Sequence, residues 1–137
     1  FQSSSMAAAE IFIYDLLKDK YGYTSFQQCF EDRMNHRGEW FDLICEYNKN
    51  DPARLAKKIL ENSTTYVGMR SCEELDACKK QGIFDLVIWI DAEERVGVED
   101  SNSCTITKDQ ADIIIENNGT LYEFEQRLIR LGKVIFG

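Results

Sequence analysis

An α/β fold, with a parallel sheet flanked by helices, is what this sequence predicts, and three observations predict it. Residues 84–90, Phe-Asp-Leu-Val-Ile-Trp-Ile, are almost continuously apolar, the pattern of a strand covered on both faces. Strand-like segments alternate with helix-like ones along the chain. The length of 137 residues, 44% of them hydrophobic and 29% charged, suits one domain around one core, since most domains hold about 100–200 residues. The same composition excludes a disordered or collagenous chain, and no apolar run nears the roughly 18 residues that a membrane-spanning helix needs.

Phe1-Gln2-Ser3-Ser4-Ser5 reads as the remnant of a protease site left by expression, with Met6 as the native start and a single domain over residues 6–137. Ala7-Ala8-Ala9-Glu10 leads into Ile11, Ile13, Tyr14, Leu16 and Leu17, helix formers with apolar positions on one face, and Gly22 ends that helix. Residues 23–26 are rich in β-formers and read as a strand or a connector. From Cys29 to Asn48, the apolar residues Phe30, Met34, Trp40, Phe41, Leu43, Ile44 and Tyr47 keep helical spacing across Gly38, giving one bent helix or two. Asp51-Pro52 starts the next helix with an acidic cap and a proline at the first position, and Leu55, Ala56, Ile59 and Leu60 form its stripe. Residues 64–69 read as a strand, and Ser71 caps a helix with Glu73 and Glu74 in its first turn.

Asp91 stands at the carboxyl end of the 84–90 strand. Residues 93–103 are charged and small without a period, a mobile surface loop. Residues 112–115 are a third strand, and Asn117-Asn118-Gly119-Thr120 is a turn that caps a helix over 121–131. Residues 133–136 end the chain as a short strand.

With 16 Lys and Arg against 24 Asp and Glu, the net charge is −8, which repels phosphodiester backbones and excludes broad nucleic-acid binding. The five cysteines are odd in number and never form a C-x-x-C pair, so they are expected to be reduced in a cytoplasmic protein. His36, the one histidine, has no Cys or second His at metal-ligand spacing; neither a metal site nor a cysteine nucleophile is expected.

The succession Tyr66-Val67-Gly68-Met69-Arg70-Ser71, then Asp85-Leu86-Val87-Ile88-Trp89-Ile90-Asp91 with Arg95, then Ala111-Asp112-Ile113-Ile114-Ile115-Glu116-Asn117-Asn118-Gly119-Thr120-Leu121 resembles the phage deoxynucleoside monophosphate kinases. It is similar also to the wider P-loop nucleoside-phosphate kinase group, including dephospho-coenzyme A kinases, in which an A-D-x-x-I-x-N-x-G-[ST]-L pattern closes the sheet. The resemblance covers about residues 21–131.

That family opens with a strand and G-x-x-x-x-G-K-[ST], whose backbone N–H groups cradle ATP phosphates. No such motif occurs in this sequence, and residues 6–12 look like the helix that follows that loop. Phosphoryl transfer rests on positioning and charge stabilisation, so the resemblance implies a truncated P-loop-kinase-like sheet, a pseudo-enzyme with no cofactor. It also places the missing strand between segments 66–69 and 84–90. Residues 133–136, Lys-Val-Ile-Phe, are expected to fill that vacancy, within the protomer or across a homodimer, with a frayed tail as the alternative.

By resemblance, Arg70 contacts a monophosphate, where an ion pair to Glu73 or Glu74 is the alternative. Arg33 and Arg37, one helical turn apart with Trp40 nearby, resemble the arginines of the monophosphate-binding helices, with Trp40 a core residue in the plainer reading. Arg95 resembles the lid arginine, and Asn117-Asn118-Gly119 the adenine-side turn. Asp91 carries little as a metal or base residue on its own.

Acidic residues crowd two regions: Asp15, Asp19, Glu31, Asp32, Glu39, Asp42 and Glu46 on the first helices, and Asp91, Glu93, Glu94, Glu99 and Asp100 in one loop. Such a surface is either solvated or docks onto a basic protein groove. The expected function is therefore binding: an acidic phage protein that inhibits a host nucleic-acid enzyme or defence system in the infected bacterial cytoplasm, in the manner of an anti-CRISPR protein. The alternatives are a binder or sensor of deoxynucleoside monophosphates that keeps the pocket around Arg33, Arg37 and Arg70, and a fragment of an active kinase.

Overall fold

The computed structural model describes residues 2–98, 100–101 and 104–137 of a mixed α/β chain. It divides into two compact units, Phe1–Met69 with Glu73–Ile83, and Arg70–Cys72 with Phe84–Gly137.

In the first unit, α1 (Ser4–Ala8), a π turn (Ala9–Ile13) and α2 (Tyr14–Tyr21) follow one another without a break. Ala7, Ala8, Ala9, Ile13 and Leu17 form their buried face. Gly22 ends the run at φ +72°, a left-handed turn that lets the Tyr23 N–H donate to the Lys18 carbonyl at 3.0 Å. Residues 23–25 are a connector, in which the Ser25 hydroxyl accepts the Gln28 N–H and starts α3 (Phe26–Glu31).

The chain then tightens into a 3-10 turn (Asp32–His36) before α4 (Arg37–Tyr47). The expected interruption is real, but it lies at Asp32 rather than Gly38, which sits inside α4. Asp32 draws hydrogen bonds from Asn35 and Tyr23, and such side-chain competition favours a tighter turn.

Helix α5 (Arg54–Leu60) begins just after Pro52, with Asp51 accepting the Ala53 N–H at 3.0 Å. Its Leu55 and Ile59 close the core with Tyr23, Cys29 and Trp40, so Trp40 takes the core position. Asn48, buried at the end of α4, accepts the Leu55 N–H at 3.1 Å and donates to Glu74 at 3.0 Å. That one amide ties α4 and α5 to α6 (Cys72–Lys80).

Strand β1 (Gln2–Ser3) pairs in parallel with β2 (Tyr66–Val67). Reasoning that begins the fold at Met6 therefore leaves out a strand: Gln2 and Ser3 take the place beside β2 that was expected for residues 133–136.

In the second unit, β3 (Ile88–Asp91) and β4 (Ile113–Glu116) run parallel, with Ile88 opposite Ile113 and Asp91 opposite Glu116. The expectation of a strand covered on both faces is corrected: Ile88 and Ile90 are 40% and 44% exposed. Among the described residues each strand of this ladder has a single partner, and an apolar run records the capacity to be covered, not the cover itself. The 93–103 loop contains one helical turn, α7 (Glu93–Val96), while Glu99, Asn102 and Ser103 lie outside the described residues.

A 3-10 turn (Lys108–Gln110) precedes β4, and the Thr120–Glu123 capping box opens α8 (Leu121–Phe136). Residues 133–136 continue this helix instead of forming a strand. Extending a formed helix fixes one residue per hydrogen bond gained, whereas a new strand needs a waiting edge. Among the described residues, no helix is long and apolar enough to cross a membrane.

Candidate functional site

The carboxyl ends of β3 and β4 are where this chain concentrates polar chemistry, as open α/β sheets generally do. Asp91 ends β3. One of its oxygens accepts the Glu93 N–H at 3.1 Å and starts α7; the other holds Lys108 Nζ at 2.9 Å. The Lys108 hydrogen bond, reinforced by the backbone one, holds the Asp91 carboxyl below the usual carboxylate range. Lys108 also pairs with Glu93 at 3.2 Å. Asp91 is thus a turn-forming anchor, fully engaged in fixing α7.

The next turn is tied to the same place. The Asn117 N–H donates to the Asp91 carbonyl at 2.6 Å, Asn118 Oδ1 accepts the Glu94 N–H at 3.1 Å, and Arg95 Nε donates to the Asn117 carbonyl at 3.2 Å. Arg95, the expected lid residue, is drawn to the β4–α8 turn, and the Asn118 side chain braces α7. Arg127 reaches back to Glu116, donating to its carbonyl at 2.7 Å.

A cavity of about 390 Å³ opens beside this edge, walled by Arg70, Trp89, Ile90, Ala92, Glu93 and residues 96–98. That volume lies within the range of small-molecule sites. The backbone of Arg70 is set by Thr105, whose N–H donates to the Arg70 carbonyl at 2.9 Å and whose hydroxyl accepts the Cys72 N–H at 2.8 Å. Trp89 presents a buried indole N–H that has no acceptor among the described residues. A buried indole N–H ordinarily finds one. An indole, aliphatic walls, one arginine and the Glu93 carboxylate, whose charge is offset by Lys108 at 3.2 Å, give the site room for a flat ligand.

Arg33 and Arg37 belong to the first unit, Arg70 and Arg95 to the second. Arg33 lies flat on the Phe30 ring, 3.9 Å from its centroid, and donates to the Phe30 carbonyl at 2.9 Å. Arg37 is exposed at the start of α4. Their shared face was an α-helical inference, and the 3-10 turn undoes it: at three residues per turn, positions four apart diverge by about 120°.

The acidic residues divide into engaged and solvated groups. Asp15 pairs with Lys18, Glu46 with Lys49, and Glu39 accepts from both Lys20 and Tyr21 at 2.6 Å. Asp32 accepts from Tyr23 and Asn35 and lies 3.0 Å from His36, while Glu31 accepts from Gln27. Asp19, Asp42 and Glu94 are exposed to solvent, Asp100 is exposed but engaged, and Glu99 lies outside the described residues. Much of the acidity on the first helices is thereby neutralised within a few ångströms.

Sequence reasoning put Arg70 directly after a strand over 66–69, whereas β2 stops at Val67 and Arg70 follows three residues later; it passed over Trp89, Thr105 and Lys108. Trp89 was legible only as strand apolarity, and its partners lie far along the chain. No family model, no curated protein and no solved structure matches the chain.

Proposed function

We propose that this chain is a P-loop-kinase-like domain, without the phosphate-loop motif in its sequence, that acts by binding a nucleoside monophosphate. The observation that carries the proposal is the cavity at the carboxyl end of β3, with Arg70 and Trp89 among the residues of its wall. Arg70 meets the phosphate, since a guanidinium matches a phosphate dianion bidentately. Trp89 supplies the base with a stacking face, and Ile90, Val96 and Val98 provide apolar contact. The strand–turn–helix order on both sides of the site supports kinase ancestry, as does the Asn117-Asn118-Gly119-Thr120 turn after a parallel strand.

Calorimetry with the four deoxynucleoside monophosphates, alongside Trp89 fluorescence, tests the reading. Micromolar binding that Arg70→Ala weakens at least about tenfold, or about 1.4 kcal/mol, supports it. Silence with every nucleotide overturns it and returns the function to protein docking through the exposed acids. Phosphate transfer from ATP overturns the binding-only role.

A further inference from the structure

We infer that α8 is a self-association surface, on which a second copy of this chain lays its own α8 in antiparallel register. Leu121, Tyr122, Leu128, Ile129, Ile135 and Phe136 are 40–86% exposed. They fall in adjacent pairs seven residues apart, and a seven-residue repeat drifts only about 20° around a helix. The stripe is therefore nearly straight over the whole of α8, about 24 Å at 1.5 Å per residue.

Together these side chains uncover on the order of 650 Å² of mostly apolar surface, against about 800 Å² per partner in a standard interface. Monomers rarely expose contiguous apolar patches of this size.

Two further residues on the stripe point to a helix of the same sequence as the occupant. Gly132 lies inside α8, where a Cβ would meet nothing within 4 Å. Glycine is disfavoured inside helices, and among the described residues nothing packs close enough to require this one. A second helix crossing closely over it does. Glu125 lies on the centreline of the same stripe, one helical turn from Leu121 and from Ile129, and it has no ion pair among the described residues; nor has Lys133.

An antiparallel partner centred between Leu128 and Ile129 sets Leu121 and Tyr122 against Phe136 and Ile135. The same register sets Glu125 against Gly132, with Lys133 beside it. Each Glu125 then meets the Lys133 of the other copy, twice per dimer, as two-fold symmetry requires. The acidic start of α8 lies along its basic end, which a parallel pairing would not achieve. Arg127 lies on the opposite side of α8 from the stripe, where it contacts Glu116.

Sedimentation velocity of the full chain at tens of micromolar is the test. The expected species is a dimer, converted to monomer by Ile129→Asp with the helical circular dichroism unchanged. Glu125→Lys and Lys133→Glu should each weaken association about fivefold, and the double variant should restore it. A monomeric wild-type chain overturns the inference, and so does a double variant no tighter than the single ones.

Discussion

The imidazole Nε2 of His36 stands 3.0 Å from Oδ2 of Asp32, the oxygen that also receives the Tyr23 hydroxyl at 2.6 Å. The Tyr21 ring stacks on the same imidazole at 4.0 Å. The one histidine is thus part of a local network that pins the 3-10 turn. The Tyr23 hydrogen bond first, then those of Asn35 and His36, hold the Asp32 carboxyl below its ordinary value of 3.8. A depressed carboxyl contributes stability that is present above its unfolded value and lost as the pH falls through its folded one. Asp32→Asn is therefore expected to lower Tm at neutral pH and to flatten the loss of stability below about pH 4, as read in acid titrations by circular dichroism.

Glu74 shows the opposite sign. Burial pushes its carboxyl above the ordinary 4.5, although Asn48 donates to it. The folded chain holds that proton more tightly than the unfolded chain, so stability declines as the pH rises from the unfolded value through the raised one. Glu74→Gln keeps an acceptor for Asn48 and removes the ionisation. It is expected to stabilise the chain at pH 7 and to abolish that slope in urea unfolding.

Asn48→Ala leaves the Leu55 N–H without its acceptor and takes one donor from the Glu74 carboxyl. Buried groups left without partners cost about 1–3 kcal/mol. A loss of about 2–3 kcal/mol in urea is expected, with the m-value unchanged.

Arg70 and Arg33 separate the cavity from the expected arginine helix. Arg70→Ala should weaken nucleotide binding at least about tenfold with little change in stability, because the residue is exposed. Arg33→Ala should leave binding intact, since its guanidinium is spent on Phe30. Paired calorimetry and thermal melts read both outcomes.

Thr120→Ala removes the hydroxyl that accepts the Glu123 N–H at 3.2 Å and caps α8. A loss of about 1 kcal/mol is expected, with amide exchange quickening first in residues 121–124.

What could be read beforehand was local. The Asn117-Asn118-Gly119-Thr120 turn announced the start of α8, and Gly22 announced the end of the first helical run. The alternating order of strands and helices told the mixed class, and Trp40 its place in the core. The faults arose where a local rule met a distant partner. Asp32 took the Tyr23 hydroxyl and moved the helix break away from Gly38. Residues 133–136 carry strand-forming side chains but no edge claimed them, so the helix continued.

The order of residues by itself determined which segments coil, where caps begin them and how much charge the chain carries, because those depend on neighbours within a few positions. Only tertiary structure decided that Gln2 and Ser3 would pair with Tyr66 and Val67, and that Arg70 and Trp89 would wall one cavity. Pairing across dozens of residues depends on which surfaces meet and which polar groups then need partners, and no short window of sequence records either.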